Sequence, residues 1–265
     1  MDYGALVSEA VKYTKEALVG NWVTWLIFII CSLPIALVNF VFDPKKIFTG
    51  TTIHWELIPW FQIIALFLAG LLLSFIVSGY LVRVYRGITP PPRFDAWCSL
   101  YLDGIKIAIV GFVWMIPALV IMVTAVALII FGALGSASVG TMVGAGFILL
   151  LIGLIVLVIT SLYAALGGVR FARTGSMREG LRFSAITGTI QAIGWGAYIL
   201  ALVIMMVLVI LVTLIITLLA LIPYAGWVIQ LVLTPIVSVF TARYISRVYD
   251  HSVSQAAVPA PAPAA

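Results

Sequence analysis

Charge is scarce in this chain: 9% of its 265 residues are Asp, Glu, Lys or Arg, against 64% hydrophobic residues and a mean hydropathy of +1.26. A soluble domain carries about a quarter charged residues, so the composition excludes a water-solvated globule and indicates a bilayer as solvent. Cysteine and histidine are scarcer still, at two each. Cys31 sits in an apolar run and Cys98 in a polar gap, so the two lie at different depths and no disulfide is expected. His54 and His251 fall outside the runs, and no His/Cys spacing offers a metal cluster. The serine-hydrolase elbow, HExxH, the phosphate-binding glycine loop and the Asn-x-Ser/Thr sequon are missing. No catalytic residue, cofactor or metal is therefore expected. Residues 1–20 are mixed in charge and no small-x-small cleavage site follows the first apolar run, so that run is expected to stay as a span.

What the chain has in abundance is length of apolar sequence. About 20 residues of helix cross the roughly 30 Å hydrocarbon core, and six uncharged runs meet that length: Trp22 to Phe42, Leu57 to Val82, Ile107 to Phe131, Thr141 to Leu166, Gly188 to Leu219 and Tyr224 to Ala242. The middle pair is divided at the small-residue stretch Gly132 to Gly140 and the last pair at Ile222 to Gly226. Pro223 lacks an amide proton and favours a break there. The expected fold is an all-α integral membrane protein of six transmembrane helices with interfacial amphipathic helices. Residues 1–250 are expected to form a single membrane domain, and the Ala/Pro-rich segment 251–265 is expected to be disordered.

All 23 charged residues fall in the gaps, and twelve of the fourteen Lys and Arg lie in alternate gaps. Lys12, Lys15, Arg83, Arg86, Arg93, Lys106, Arg170, Arg173, Arg178, Arg182, Arg243 and Arg247 share one face; Lys45 and Lys46 alone occupy the other. The positive-inside rule then predicts a cell-membrane protein with both termini cytoplasmic. Seven carboxylates share the basic face, so the whole net charge of +5 sits there.

The layout of one surface segment followed by two spans occurs three times, over residues 1–87, 88–175 and 176–250. Lys15-Glu-Ala-Leu-Val-Gly20 matches Lys106-Ile-Ala-Ile-Val-Gly111, and the exits Leu81-Val-Arg-Val-Tyr85, Val169-Arg-Phe-Ala-Arg173 and Ile245-Ser-Arg-Val-Tyr249 correspond. These matches fit an internal threefold repeat; they also fit the Lys, Arg and Tyr anchors with which any span meets the interface. Each surface segment has interfacial-helix character. In the first, Leu6, Val7, Ala10, Tyr13, Ala17 and Leu18 oppose Glu9, Lys12, Lys15 and Glu16 at helical spacing. In the second, Phe94, Trp97, Cys98, Tyr101 and Ile105 oppose Asp95, Ser99, Asp103 and Lys106. In the third, Ser176 and Glu179 form a capping-box pattern, with Arg178 and Arg182 at i, i+4. Arg83, Arg86, Arg93, Lys106, Arg170, Arg173, Arg178, Arg182, Arg243 and Arg247 are the candidate lipid-headgroup residues.

The combination Gly79-Tyr-Leu-Val-Arg83, Pro92-Arg-Phe-Asp-Ala-Trp97 and Leu102-Asp-Gly-Ile-Lys106, with Arg170-Phe-Ala-Arg-Thr-Gly-Ser176 and Arg-Glu-Gly-Leu-Arg182 after it, resembles an uncharacterised prokaryotic, mostly archaeal membrane family, the domain of unknown function numbered 4013. The resemblance implies a multi-pass fold and brings no catalytic residues.

The polar residues inside spans include Asn39, Gln62, Thr124, Thr160, Gln191, Thr213, Thr217, Gln230 and Thr234, and Ser74 and Ser78 also sit in a span. Amides and hydroxyls in spans are expected to bond between helices more often than to line a path. Thr160, Ala164 and Gly168 form one small-residue ridge and Gly188, Ala192 and Gly196 another, which predicts close packing of spans four and five. Pro34, Pro117 and Pro235 permit kinks. With no carboxylate, histidine, lysine or arginine inside a span, the leading expectation is a non-enzymatic component that acts through assembly or membrane organisation. Its expected partners are membrane lipids and copies of itself or other membrane proteins, not nucleic acid. The alternative is a channel or uncoupled transporter for a small neutral or apolar solute, and a third reading is a headgroup enzyme built on Asp95, Asp103 and Glu179.

Overall fold

A computed structural model describes residues 1–42, 47–49, 52–135, 139–222 and 225–256. Helix dominates, as a bilayer requires, because only a helix satisfies its backbone hydrogen bonds within one segment. In chain order the helices are α1 (Tyr3–Leu18), α2 (Trp22–Val41), α3 (Trp60–Tyr85), α4 (Trp97–Leu134), α5 (Val139–Thr174), α6 (Met177–Gly180), α7 (Phe183–Ile193), α8 (Trp195–Ala220) and α9 (Gly226–Ala256). Between α2 and α3, two-residue strands β1 (Phe48–Thr49) and β2 (Thr52–Ile53) pair antiparallel. Five helices, α3, α4, α5, α8 and α9, are long and apolar enough to cross a membrane. The pair α1 and α2, bent by 88°, raises the number to six.

The helix ends depart from the apolar runs in instructive ways. The second surface segment is not a separate helix: Trp97 to Ile105 forms the first turns of α4, whose 38 residues extend roughly 57 Å at 1.5 Å each. The fifth run is broken. Gly194 adopts φ +90°, a conformation only glycine takes readily, and it divides α7 from α8. The C-terminal segment is helical as far as Ala256, so α9 carries His251 to Ala256, which composition assigns to a disordered end. Residues 257–265 lie outside the described residues, as do Lys45, Lys46, Pro223 and the heart of the Gly132 to Gly140 turn. The side chain of Asn39 is likewise outside the description.

The chain divides into two compact units, residues 1–105 with 192–265, and residues 106–191. These boundaries do not follow the three repeat-like segments. In the first unit α9 packs on α8, α1, α3 and α2, and α2 packs on α3. The amphipathic expectation for α1 holds: Ala10, Tyr13, Thr14, Ala17 and Leu18 are buried at i, i+3, i+4, i+7 and i+8. Asp2 caps this helix by accepting from the Ala5 amide at 3.0 Å. Its buried face joins a core of Tyr13, Leu18, Phe28, Tyr80, Leu100 and Val239. In the second unit, glycines set the approach of α4 and α5. A Cβ on Gly146 would lie 2.6 Å from Ile129, and one on Gly153 would lie 2.8 Å from Met122.

Candidate functional site

The first three motifs of the family resemblance converge where α3 meets α4. Gly79 faces the Leu100 carbonyl and Gly104 faces the Phe75 carbonyl, each so closely that an added Cβ would overlap backbone. The two helices therefore touch main chain to main chain, which fixes the groups beyond them. Arg83, 9% exposed, donates through Nη1 to the Arg93 carbonyl at 2.8 Å and to the Asp95 carboxylate, and through Nη2 to the Asp95 carbonyl at 2.8 Å. One rigid guanidinium fork thus holds the incoming strand of chain. Ala96, with φ 46°, completes the turn into α4. One helical turn on, Arg86 Nη2 reaches Asp103 Oδ2 at 2.6 Å. Phe94 stacks on Tyr80 at 4.7 Å, and Phe28 meets both rings edge-on.

A second corner has the same ingredients. Gly167 of α5 and Gly180 of α6 are in mutual backbone contact, with a Gly167 Cβ 2.6 Å from the Gly180 oxygen. The Trp114 indole N–H donates to that oxygen at 3.1 Å. Arg170 donates to Glu179 Oε2 through Nε at 3.0 Å and Nη2 at 2.6 Å, and Arg182 reaches Oε1 at 3.2 Å. These hydrogen bonds, chiefly from Arg170, hold the Glu179 carboxyl below the usual range. With Glu179 so engaged, Ser176 stands at the N-cap without a side-chain capping bond, and the expected capping box does not form.

The third exit returns to the start of the chain. Arg243 of α9, 3% exposed, donates to Glu9 of α1 through Nε at 3.0 Å and through Nη2, and its guanidinium carbon lies 4.2 Å from the Tyr13 ring centroid. Arg247 approaches Glu9 at 3.5 Å and Asp250 at 3.7 Å. Burial pushes the Tyr13 phenol up to about 12, and it remains a neutral donor to the Ile88 carbonyl at 3.1 Å. In each case an arginine near the end of a long helix grips a carboxylate in a surface segment: α3 takes the second, α5 the third and α9 the first.

Of the ten candidate headgroup residues, Arg83, Arg86, Arg170, Arg182, Arg243 and Arg247 are thus bound to carboxylates within the chain. Arg93, Lys106 and Arg178 make no ion pair among the described residues, while Arg173 has a partner within the chain. Sequence reasoning named these bases but missed their function as clamps. The signal was a carboxylate 9 to 17 residues after each exit arginine of α3 and α5.

Neither small-residue ridge contains a tightly packed glycine. Gly188 lies in α7 and Gly196 in α8, with Ala192 before the break, and a Cβ on either glycine would meet nothing within 4 Å. A Cβ on Gly168 would make only an ordinary contact, 3.6 Å from Ile107, and Thr160 donates to Leu157 of its own helix at 3.1 Å. Ala164 is half-buried. The fourth span instead meets α7 through rings, with Tyr163 stacked on Phe183 at 4.5 Å. Gly167, one residue off the ridge, is the tight position. The in-span threonines also differ from expectation: Thr124, Thr217 and Thr234 donate to the carbonyl four residues back, not to another helix. Bonds between helices include those from Trp25 Nε1 to the Val232 carbonyl at 2.7 Å, Tyr244 to Ala201 at 3.0 Å and Ser246 to Tyr85 at 3.1 Å.

A family model described as a protein of unknown function, DUF4013, matches residues 62–221. The chain belongs to the DUF4013 family. The match covers both glycine-braced corners and α8, and it begins after α2 and ends before α9. No curated protein and no solved structure matches the chain.

Proposed function

We propose that this DUF4013 protein is a non-enzymatic, multi-pass component of the cell membrane that acts by assembling with copies of itself or with other membrane proteins. The observation that carries this reading is an unpacked glycine pair on α5. Gly140 and Gly144 stand at i and i+4, and a Cβ on either would meet nothing within 4 Å. Such a small-xxx-small face lets another helix approach closely, and inside a bilayer that packing is the main drive to associate. Gly111, Gly188 and Gly196 are equally open. The headgroup-enzyme reading loses support because Asp95, Asp103 and Glu179 are each held by their own arginines. Arg93, Lys106 and Arg178 are the bases left to meet anionic lipid, and the basic face is expected to be cytoplasmic.

The test is mass measurement in lipid nanodiscs across a range of protein-to-lipid ratios. The wild-type chain should form a defined oligomer or co-purify with a stoichiometric membrane partner, and Gly144→Leu should dissociate it without lowering the melting temperature. A wild-type monomer at every ratio with no partner, or an unchanged complex in both Gly144→Leu and Gly188→Leu, would rule the reading out.

A further inference from the structure

Within the first unit, α2, α3 and α9 border a half-open cavity of about 520 Å³. Its polar lining comes from Cys31, Ser32, Ser74, Ser78, Gln230 and Thr234, brought together from sequence positions some 200 residues apart. Along α3 the lining runs from Phe67 to Ser78, roughly 16 Å at 1.5 Å per residue, about half the thickness of a hydrocarbon core. It starts at the first turn of α9, where Trp227 contributes to the wall. At the other end Val77 both lines the cavity and packs against the buried aromatic cluster of Phe28 and Tyr80. One end therefore reaches the surface of the spanning region, and the other stops on rings braced by Arg83 and Asp95.

The chemistry of the lining selects the occupant. None of the lining residues is charged, so an ion entering would lose its hydration without a counter-charge. A pure hydrocarbon occupant would leave polar groups unsatisfied. Ser74 and Thr234 donate to Leu71 and Gln230 carbonyls of their own helices, which leaves their oxygens as acceptors. The Gln230 amide, with two donors and an acceptor, has no hydrogen-bond partner among the described residues. Gln230 is exposed on the spanning surface, and inside a bilayer no water is present to meet an amide that has no protein partner. The volume far exceeds the roughly 30 Å³ share of one water and lies in the range of small-molecule sites.

We propose that this cavity binds a small uncharged solute bearing hydroxyl or amide groups, of the size of glycerol or a short polyol, admitted from the end where α3 and α9 begin. The site makes no use of the open glycines on α5 and does not rest on the assembly reading. Cys31 reports on it directly. In a Cys98→Ser chain reconstituted in liposomes, Cys31 is the sole thiol. Hydroxyethyl methanethiosulfonate should label it at least roughly fiftyfold faster than the anionic sulfonatoethyl reagent, as expected for excluding charge from the bilayer interior. Excess glycerol should slow the neutral reaction. Gln230→Leu, and the near-isosteric Thr234→Val as a second variant, should fold with wild-type melting and lose that protection.

Labelling by N-phenylmaleimide but not by the neutral polar reagent would mean a lipid-filled groove and would overturn the proposal. So would labelling that glycerol leaves unchanged, or protection that survives in both variants. Because the readout is thiol chemistry and not mass, Gly144→Leu should label like the parent, which separates failure of this site from failure of assembly.

Discussion

The glycine-braced corners of the two units are built from the same parts and differ in depth. In the first, Gly79 and Gly104 press on opposing carbonyls, and the neighbouring clamps include arginines 9% and 3% exposed. In the second, the Gly167 and Gly180 contact is looser, Arg170 and Glu179 are partly buried, and Arg182 has a side chain 60% exposed. One device thus serves both as a buried strut and as a surface latch. Depth decides its energetic weight, because an exposed ion pair is screened by water, whereas a buried charge without its partner is left with no solvent to turn to.

The largest consequence should come from isolating the buried cation. Glu9→Gln leaves Arg243 enclosed without a counter-charge and should lower stability in detergent by about 3–5 kcal/mol. Adding Arg243→Met should recover most of that loss, since a matched apolar replacement of both partners is close to neutral. Equal stability of the single and double variants would put Arg243 in contact with solvent or lipid phosphate. The glycine contacts come next. Gly79→Ala drives a methyl into the Leu100 carbonyl and should cost about 3 kcal/mol, the upper range of overpacking. Gly111→Ala, in open space within a helix, should be neutral or slightly stabilising. If the two substitutions melt alike, the α3 and α4 backbones do not touch.

The smallest effect should be a pH dependence at the exposed latch. Glu179 has a depressed folded pKa, so its pairing stabilises the chain above the unfolded carboxyl value of about 4.3 and is lost as pH falls through the folded value. The difference in melting temperature between wild type and Glu179→Gln should therefore be present at neutral pH and vanish in acid. A difference that persists below the folded value would assign the stabilisation to something other than the carboxylate.

Much of the fold was legible because one physical demand, burying backbone in lipid, acts on run length alone. Each of the six apolar runs produced helix, and the buried positions of α1 followed its 3.6-residue period. The break at Gly194 was not legible, since glycine is tolerated inside membrane helices and only its φ reveals a turn. The chain has 22 glycines, and nothing local distinguishes Gly79, pressed on a carbonyl, from Gly111, which meets nothing. The cavity polar groups had the same fate: Ser74, Ser78, Gln230 and Thr234 were each visible as polar residues in apolar runs, and only the packing of α2, α3 and α9 unites them.

The clamp between Arg243 and Glu9 spans 234 positions, and that separation has a temporal meaning. A chain emerging from the ribosome carries Glu9 without Arg243 until α9 is made, whereas Phe28, Tyr80 and Leu100 reach the apolar face of α1 earlier. Helix α1 is thus fully secured only after α9 is made, and the interval between those events is when the nascent protein has most need of a companion at the membrane surface.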